Sequence, residues 1–468
     1  MAKKPIIILG GGPTGLAAAY HLSESGKKVV LLEKEKYLGG LSATLKKEDF
    51  LFEFGPHAFH LNDPAIISWI KKLLGRDFRV IPTKTQVLIN DNLLNYPLKA
   101  SELLRKINPI LGARILFDYF VAHLKSVIFK RKAISFEQWG LANVGSTLYK
   151  ISFGDYTNKV WGISPSKISV HLASQKLARL NLGDIVKKLF GFKGEAQPAY
   201  FKKYLYPEGG ANSIFEKMQK KIAENCEIIF GAEALHLKTD NDKVESVEYK
   251  DEKGRLHQLV CEKVISTITL KDLIPMINSP LRNPSQKAAS SLKFRDLIII
   301  YLVVDKNQVS QAQWTYLVEN KFRFNRFTEA KNLSPRFAPK GKTVISFEIC
   351  CQKNDSLWRS TDQNILRILK QDLKKLALDN LKIENYFVKR LENAYPMFLV
   401  GFEQNLFKTL NELKKIENLI STGRNGLFLN SDIHDCFKLG LEAAQYARKN
   451  QSSKNWYKQV KNTWLKNL

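Results

Sequence analysis

Residues Pro5 to Leu9 form a short, isoleucine-rich apolar run, and three glycines follow at once in Gly10-Gly11-Gly12-Pro13-Thr14-Gly15. Nothing else in the 468-residue chain limits its fold so tightly. A run such as Ile6-Ile7-Ile8-Leu9 is the pattern of a strand buried on both faces. Gly10, Gly12 and Gly15 satisfy G-x-G-x-x-G, Leu16 to Ser25 then reads as a helix ended by Gly26, and Val29 to Leu32 is a second apolar strand with Glu33 at its end. Gly10 allows the tight turn out of the strand, Gly12 lets backbone approach a pyrophosphate, and Gly15 lets the helix pack closely on the sheet. The N–H groups and the positive dipole end of the helix then face the phosphates. A carboxylate at Glu33 accepts hydrogen bonds from ribose hydroxyls and repels a 2′-phosphate. Strand, turn, helix, strand and acid in this order predict a dinucleotide site, without separating FAD from NAD.

A second glycine pair follows the acid, in Gly39-Gly40-Leu41-Ser42-Ala43-Thr44. The stretch from Ile6 to Thr44 resembles the FAD-binding start of the superfamily of flavin amine oxidases, protoporphyrinogen oxidases and UDP-galactopyranose mutases. The resemblance implies an α/β fold. Its parts are a Rossmann-like FAD-binding domain of the glutathione-reductase type, a mixed α+β substrate domain and a helical insertion. It also implies FAD, held non-covalently in an extended pose, with the second glycine pair continuing the wrap around the diphosphate. The cofactor-binding positions carried over are Gly10, Gly12, Pro13, Thr14, Gly15, Glu33, Lys34, Gly39, Gly40, Leu41, Ser42, Gly423, Arg424 and Asp432.

Later motifs match in order along nearly the whole chain. Phe54-Gly55-Pro56-His57-Ala58-Phe59-His60 resembles the G-x-H-x-F-H segment that passes close to the flavin ring in the mutases. By chemistry alone His57 and His60 could pair on a metal, but no third ligand is evident. As a flavin-facing pair they would donate hydrogen bonds or act as acid and base, and a structural histidine is the plainer alternative. Tyr156-Thr157-Asn158-Lys159-Val160-Trp161-Gly162 resembles a Y-T-x-K-x-W-G segment. There Lys159 would contact an anionic substrate and Trp161 would stack on a ring, or both serve the structure of the insert. Tyr206-Pro207-Glu208-Gly209-Gly210 matches the step back into the FAD domain, and Val264 to Ile268 the strand that closes it. Phe324-Asn325-Arg326-Phe327-Thr328-Glu329 resembles the mutases' Y-T-R-I-x-E strand. This makes Arg326 the expected active-site cation, with a surface salt bridge to Glu329 as the alternative. Ser421-Thr422-Gly423-Arg424-Asn425-Gly426 and Asp432-Ile433-His434 resemble the unit that turns backbone N–H groups, and a helix N-terminus, toward the flavin.

These motifs divide the chain into an FAD-binding domain of residues 1–62, 205–270 and 390–468, a helical insert of 63–204 on the substrate side, and a β-rich substrate domain of 271–389. Leu297 to Val304 and Thr343 to Ile349 read as strands. The mutase pattern is broken where its diphosphate-binding tyrosines are replaced by Phe428 and Asn430. Its basic pair is kept only approximately as Lys176 and Arg179, and Ala394 stands where a second tyrosine is expected. The expected activity is therefore FAD-dependent oxidation of a small anionic or lipid-linked substrate, with His57, His60 and Arg326 as catalytic residues. A sugar-nucleotide mutase using reduced flavin is the alternative.

Hydrophobic residues at 44% and charged residues at 25% exclude a disordered or fibrous chain. The 73 Lys and Arg against 45 Asp and Glu leave a formal charge of +28, which favours anionic partners. No nucleic-acid recognition motif accompanies it. Five cysteines without C-x-x-C spacing argue against a disulfide framework or zinc site and for a reducing, cytoplasmic setting. No signal peptide is read at the start, because the apolar run is too short. Ile110 to Phe129 has spanning length but carries Arg114, Asp118 and Lys125, so it reads as an amphipathic helix, capping a cavity or lying on a membrane. Arg105, Lys106, Lys130, Arg131 and Lys132 flank it. In the tail, Trp456, Val460, Trp464 and Leu468 share one helical face, to dock on the protein's own body or on a membrane.

Overall fold

The computed structural model describes residues 4–96, 102, 108–129, 132–176, 202–278, 282–449 and 451–468. Arg105, Lys106, Lys130, Arg131, Arg179 and the side chain of Lys176 lie outside the described residues.

The apolar runs Ile6–Leu9 and Val29–Glu33 are neighbours in a five-stranded parallel sheet. Its order is Cys226–Phe230, Val29–Glu33, Ile6–Leu9, Lys263–Ser266 and Leu419–Ser421. Strands from three distant parts of the sequence thus build one layer. Ile6, Ile7 and Ile8 are fully buried, as a parallel strand covered on both faces requires. Helix Pro13–Glu24 follows the glycine turn, with proline in its first turn, where the missing N–H costs no helical bond. Helix Ile433–Arg448 packs on it so closely that a Cβ at Gly440 would lie 2.2 Å from the Thr14 carbonyl oxygen.

The second large layer has seven strands in the order Ile383–Pro396, Phe294–Val304, Thr343–Cys351, Arg326–Glu329, Trp314–Leu317, Thr85–Ile89 and Asn92–Tyr96. It is antiparallel except where Trp314–Leu317 meets Thr85–Ile89. Phe294–Val304 is buried along its whole length and splits its side chains by alternation. Ile298, Ile300, Leu302 and Val304 enter one core, and Leu297, Ile299, Tyr301 and Val303 another. The two strands read from β-branched content are therefore present, and both are longer than that content indicates. Residues 63–204, read as mostly helical, also contribute three strands, Phe78–Pro82, Thr85–Ile89 and Asn92–Tyr96. Strand Ile383–Pro396 runs unbroken through the point where the sequence motifs change domain.

The C-terminal helix Ser453–Thr463 docks on the molecule's own body. Trp456 and Val460 are fully buried, and the Trp456 indole N–H donates to the Ser421 carbonyl at 2.9 Å. The Ser421 N–H donates to the Tyr457 hydroxyl at 3.0 Å, so the tail clamps the edge strand of the parallel sheet. Among the described residues, no helix is long and apolar enough to cross a membrane.

Candidate active site and cofactor cleft

One cavity of about 1350 Å³ runs from the amino-terminal glycine turn to the strand carrying Arg326. It is lined by Gly10, Gly12, Pro13, Thr14, Glu33, Lys34, Gly40, Leu41, Ser42, His57, His60, Arg326, Arg424 and Asp432. The structure thus brings together fourteen positions from widely separated stretches of the chain. Gly15, Gly39 and Gly423 are not among the lining residues and act by close packing instead. A Cβ at Gly15 would sit 1.9 Å from the Gly10 carbonyl oxygen, one at Gly39 2.5 Å from the Phe215 ring, and one at Gly423 2.7 Å from the Thr14 hydroxyl.

The glycine turn is open toward the cavity. A Cβ at Gly12 would meet nothing within 4 Å, and one at Gly40 would touch the Gly12 Cα at 3.3 Å. The two glycine turns therefore abut across a lane of bare backbone. Helix Pro13–Glu24 has no acid in its first turn and no side-chain cap, leaving its N–H groups for an anion. The later helix Ile433–Arg448 differs from expectation here. Asp432 and Asp435 form a reciprocal capping box, so its N-terminus is already answered by the protein's own carboxylates. Together with His434 these are the three metal-type side chains grouped in the described residues, and the helix cap already engages both acids.

Glu33 is buried and accepts from the N–H of Gly11 at 2.6 Å and of Glu35 at 2.8 Å. Burial raises its pKa above the usual carboxylate range, and the two backbone donors oppose that rise. The Asn425 Oδ1, both amide atoms of Asn430 and the His57 Nδ1 are buried without a hydrogen-bond partner, and all three residues line the cavity. Buried polar atoms are rarely left unmatched, so these call for a ligand rich in donors and acceptors. A flavin dinucleotide fits this donor set: the glycine lane would hold its diphosphate and Glu33 a ribose. Asn425, present only within its motif, and Asn430, named only as a departure from the mutase pattern, are not among the cofactor residues read from sequence.

At the far end His57 is fully enclosed, and burial, reinforced by the Arg326 charge, pushes its pKa down to about 4. At neutral pH it is a neutral imidazole, a hydrogen-bond donor and acceptor, and not an imidazolium acid. His60 stands edge-on to Tyr204, with ring centroids 5.1 Å apart, and faces His434 at 6.3 Å. Arg326 does not pair with Glu329. It forms a two-pronged ion pair with Glu348 on the neighbouring strand, Nε–Oε1 2.9 Å and Nη2–Oε2 2.6 Å. Glu329 is engaged elsewhere, by the N–H groups of Val309 and Ser310 and the Thr343 hydroxyl. The sequence signal for Glu348 is a lone acid inside the apolar run TVISFEICC, which predicts a buried cationic partner.

Two further expectations change. The Lys159 ammonium is engaged by the carbonyls of Leu317, Glu319, Phe322 and Phe324, pinning the loop before the Arg326 strand. Burial lowers its pKa to about 8, and it is not among the residues that line the cavity. Trp161 packs edge-on against Tyr395, centroids 6.3 Å apart, and supports a lining residue from behind. Arg424 donates to the carbonyls of Ser431 at 2.7 Å and Ala394 at 3.1 Å and lies over the Tyr395 ring. Glu53, the acid closing the apolar run FLFE, is buried and accepts from the Tyr206 hydroxyl at 2.6 Å and the Ala211 N–H at 3.2 Å. Burial raises its pKa to about 7.

The family model for flavin containing amine oxidoreductase matches residues 13–447. Protoporphyrinogen oxidase 1, chloroplastic, of Arabidopsis thaliana is 23% identical over 91% of this chain and 83% of its own length. A Klebsiella pneumoniae protein carrying the name "Probable UDP-galactopyranose mutase" is 23% identical over 42% of this chain, and the match spans only half of that relative, 50%. The structure of a reduced UDP-galactopyranose mutase superposes with a TM-score of 0.82 at 21% identity, covering 97% of both chains. The cleft geometry and the family match agree: the chain belongs to the flavin containing amine oxidoreductase family and is an FAD-dependent enzyme.

Proposed function

We propose that this enzyme oxidises a small molecule with an apolar or planar body and an acidic group, carboxylate, phosphate or lipid-linked phosphate. The observation that carries the reading is the wall of the cavity around Arg326. It is made of Tyr204, Trp314, Tyr316 and Tyr395, with His57 and His60 beside them. Such a wall accepts a flat or apolar body, and Arg326, already paired with Glu348, orients one acidic group without gripping a diphosphate. Phe428, in place of a mutase tyrosine, is buried with no hydroxyl to offer, which weighs against a nucleotide-sugar. When bound, the flavin supplies the two-electron chemistry. The chain's own residues bind and orient. His57 offers a neutral N–H or lone pair, and the aromatic wall packs against the apolar body of the substrate. A porphyrinogen, the class in the Arabidopsis relative's name, has such an apolar, acid-bearing body, four pyrroles on saturated bridges that become planar only on oxidation.

The second reading is a sugar-nucleotide isomerase, favoured by the shape match over nearly the whole mutase chain. Anaerobic mixing with porphyrinogens, L-amino acids and UDP-galactopyranose decides between them. Bleaching of the flavin absorbance by a substrate, with oxidised product, supports oxidation. Isomerised sugar nucleotide formed only by pre-reduced protein, without net oxidation, overturns it.

A further inference from the structure

Helix Pro109–Phe129, 21 residues long, does not cap the cavity, since none of its residues is among the lining ones. One face is anchored. Ile115 is buried, and Asp118 accepts from the Ser146 hydroxyl at 2.6 Å and the Thr147 N–H at 3.0 Å. The opposite face is apolar and bare. Ile110 is 79% exposed, Phe117 67%, Phe120 63%, Leu124 50% and Ile128 62%. Their spacing places all five within about a quarter-turn of an α-helix, a stripe roughly 30 Å long.

Folding normally covers such residues, and a contiguous exposed apolar stripe marks an interaction surface. Charge selects the occupant. The helix's one acid, Asp118, is half-buried and hydrogen-bonded by Ser146 and Thr147, whereas its exposed ionisable side chains are Arg114, His123 and Lys125. Lys132 is exposed just beyond its end, and the whole chain carries +28. A second copy of so basic a chain would set like charges against one another. An anionic headgroup layer would attract them while its acyl boundary takes up the phenylalanines and leucine. We propose that this face docks on an anionic lipid bilayer, the helix lying in the interface plane. The inference rests on the helix alone and stands whichever redox or isomerase chemistry the cavity performs.

The test is co-sedimentation of the full-length holoprotein with extruded vesicles of phosphatidylglycerol and phosphatidylcholine, against phosphatidylcholine alone, at low and physiological salt. The wild type is expected to sediment with the anionic vesicles and less as salt rises. The triple variant F117S/F120S/L124S is expected to partition at least ~10-fold more weakly with unchanged flavin spectrum and Tm. R114E/K125E is expected to lose the preference for anionic lipid. A triple variant that sediments like the wild type would overturn the proposal. So would a wild type that ignores anionic vesicles but elutes as a dimer which the triple variant converts to monomer, because the stripe would then be a self-interface.

Discussion

Glu348→Leu isolates the Arg326 guanidinium, and the consequence follows from the geometry. The Glu348 side chain is 0% exposed and that of Arg326 16%, and they share two hydrogen bonds of 2.9 and 2.6 Å. Removing one partner of a buried pair leaves an uncompensated charge, at a cost of about 3–5 kcal/mol. Arg326 also faces a cavity that water can enter, so the lower end, ~3 kcal/mol, is the better expectation. At ~2–4 °C per kcal/mol for a domain of about 150–250 residues, Tm should fall by roughly 6–12 °C. Replacing both residues, R326L/E348L, removes charge and counter-charge together and should restore most of that loss, because well-packed apolar isosteres of a buried pair are often neutral. Differential scanning fluorimetry following both flavin release and tryptophan emission measures the three proteins. A Glu348→Leu shift under about 3 °C, or a double variant as unstable as the single one, would refute the assignment of the pair as a buried, mutually dependent unit. Substrate turnover should be lost in the double variant even where Tm recovers, since the orienting cation is gone.

Gly12→Ala and Gly15→Ala should part ways. The first places a methyl in open space facing the cleft and should lower flavin content in the purified protein at nearly unchanged apoprotein Tm, whereas the second drives a Cβ to 1.9 Å from a carbonyl oxygen and should lower both. Absorbance ratios and apoprotein melting separate them. His57 has its pKa lowered to about 4 in the folded protein, against an ordinary value near 6.5. The folded state therefore binds fewer protons than the unfolded one between those values, and His57 removes stability as pH falls from 6.5 toward 4, by up to ~3 kcal/mol. His57→Gln should lose less Tm than the wild type over that window and match its trend above pH 7. A parallel decline of both would show that the imidazole is not enclosed as described. Trp456→Ala removes a fully buried indole and its bond to Ser421, at about 3–5 kcal/mol. Limited proteolysis should then cut the chain near residue 451, and an uncut tail would count against the docked helix.

What the amino-acid order determines by itself is the local machinery of the cofactor lane. The run Ile6-Ile7-Ile8-Leu9, the glycines at 10, 12 and 15, the following helix and Glu33 are contiguous, and each depends on neighbours within a turn or one strand return. Backbone constraints and hydrophobic periodicity are short-range, so they are readable without a fold. The tail helix was legible for the same reason, although it ends at Thr463, so of the face read at steps of four Trp456 and Val460 lie within it while Trp464 and Leu468 follow it. Partnership across strands was not. Whether Arg326 meets Glu329 in sequence or Glu348 across the sheet depends on strand order and register, which bring Arg326 opposite Glu348. For Lys159 the sequence leaves substrate contact and a structural role open, and the fold decides by wrapping four carbonyls around it. The two asparagines with unmatched buried amides stand in or beside the sequence motifs, but a ligand-facing role shows only once the cavity is closed around them. Burial and pairing are properties of the assembled interior, where desolvation makes each charge find its partner, and only the tertiary structure decides which partner that is.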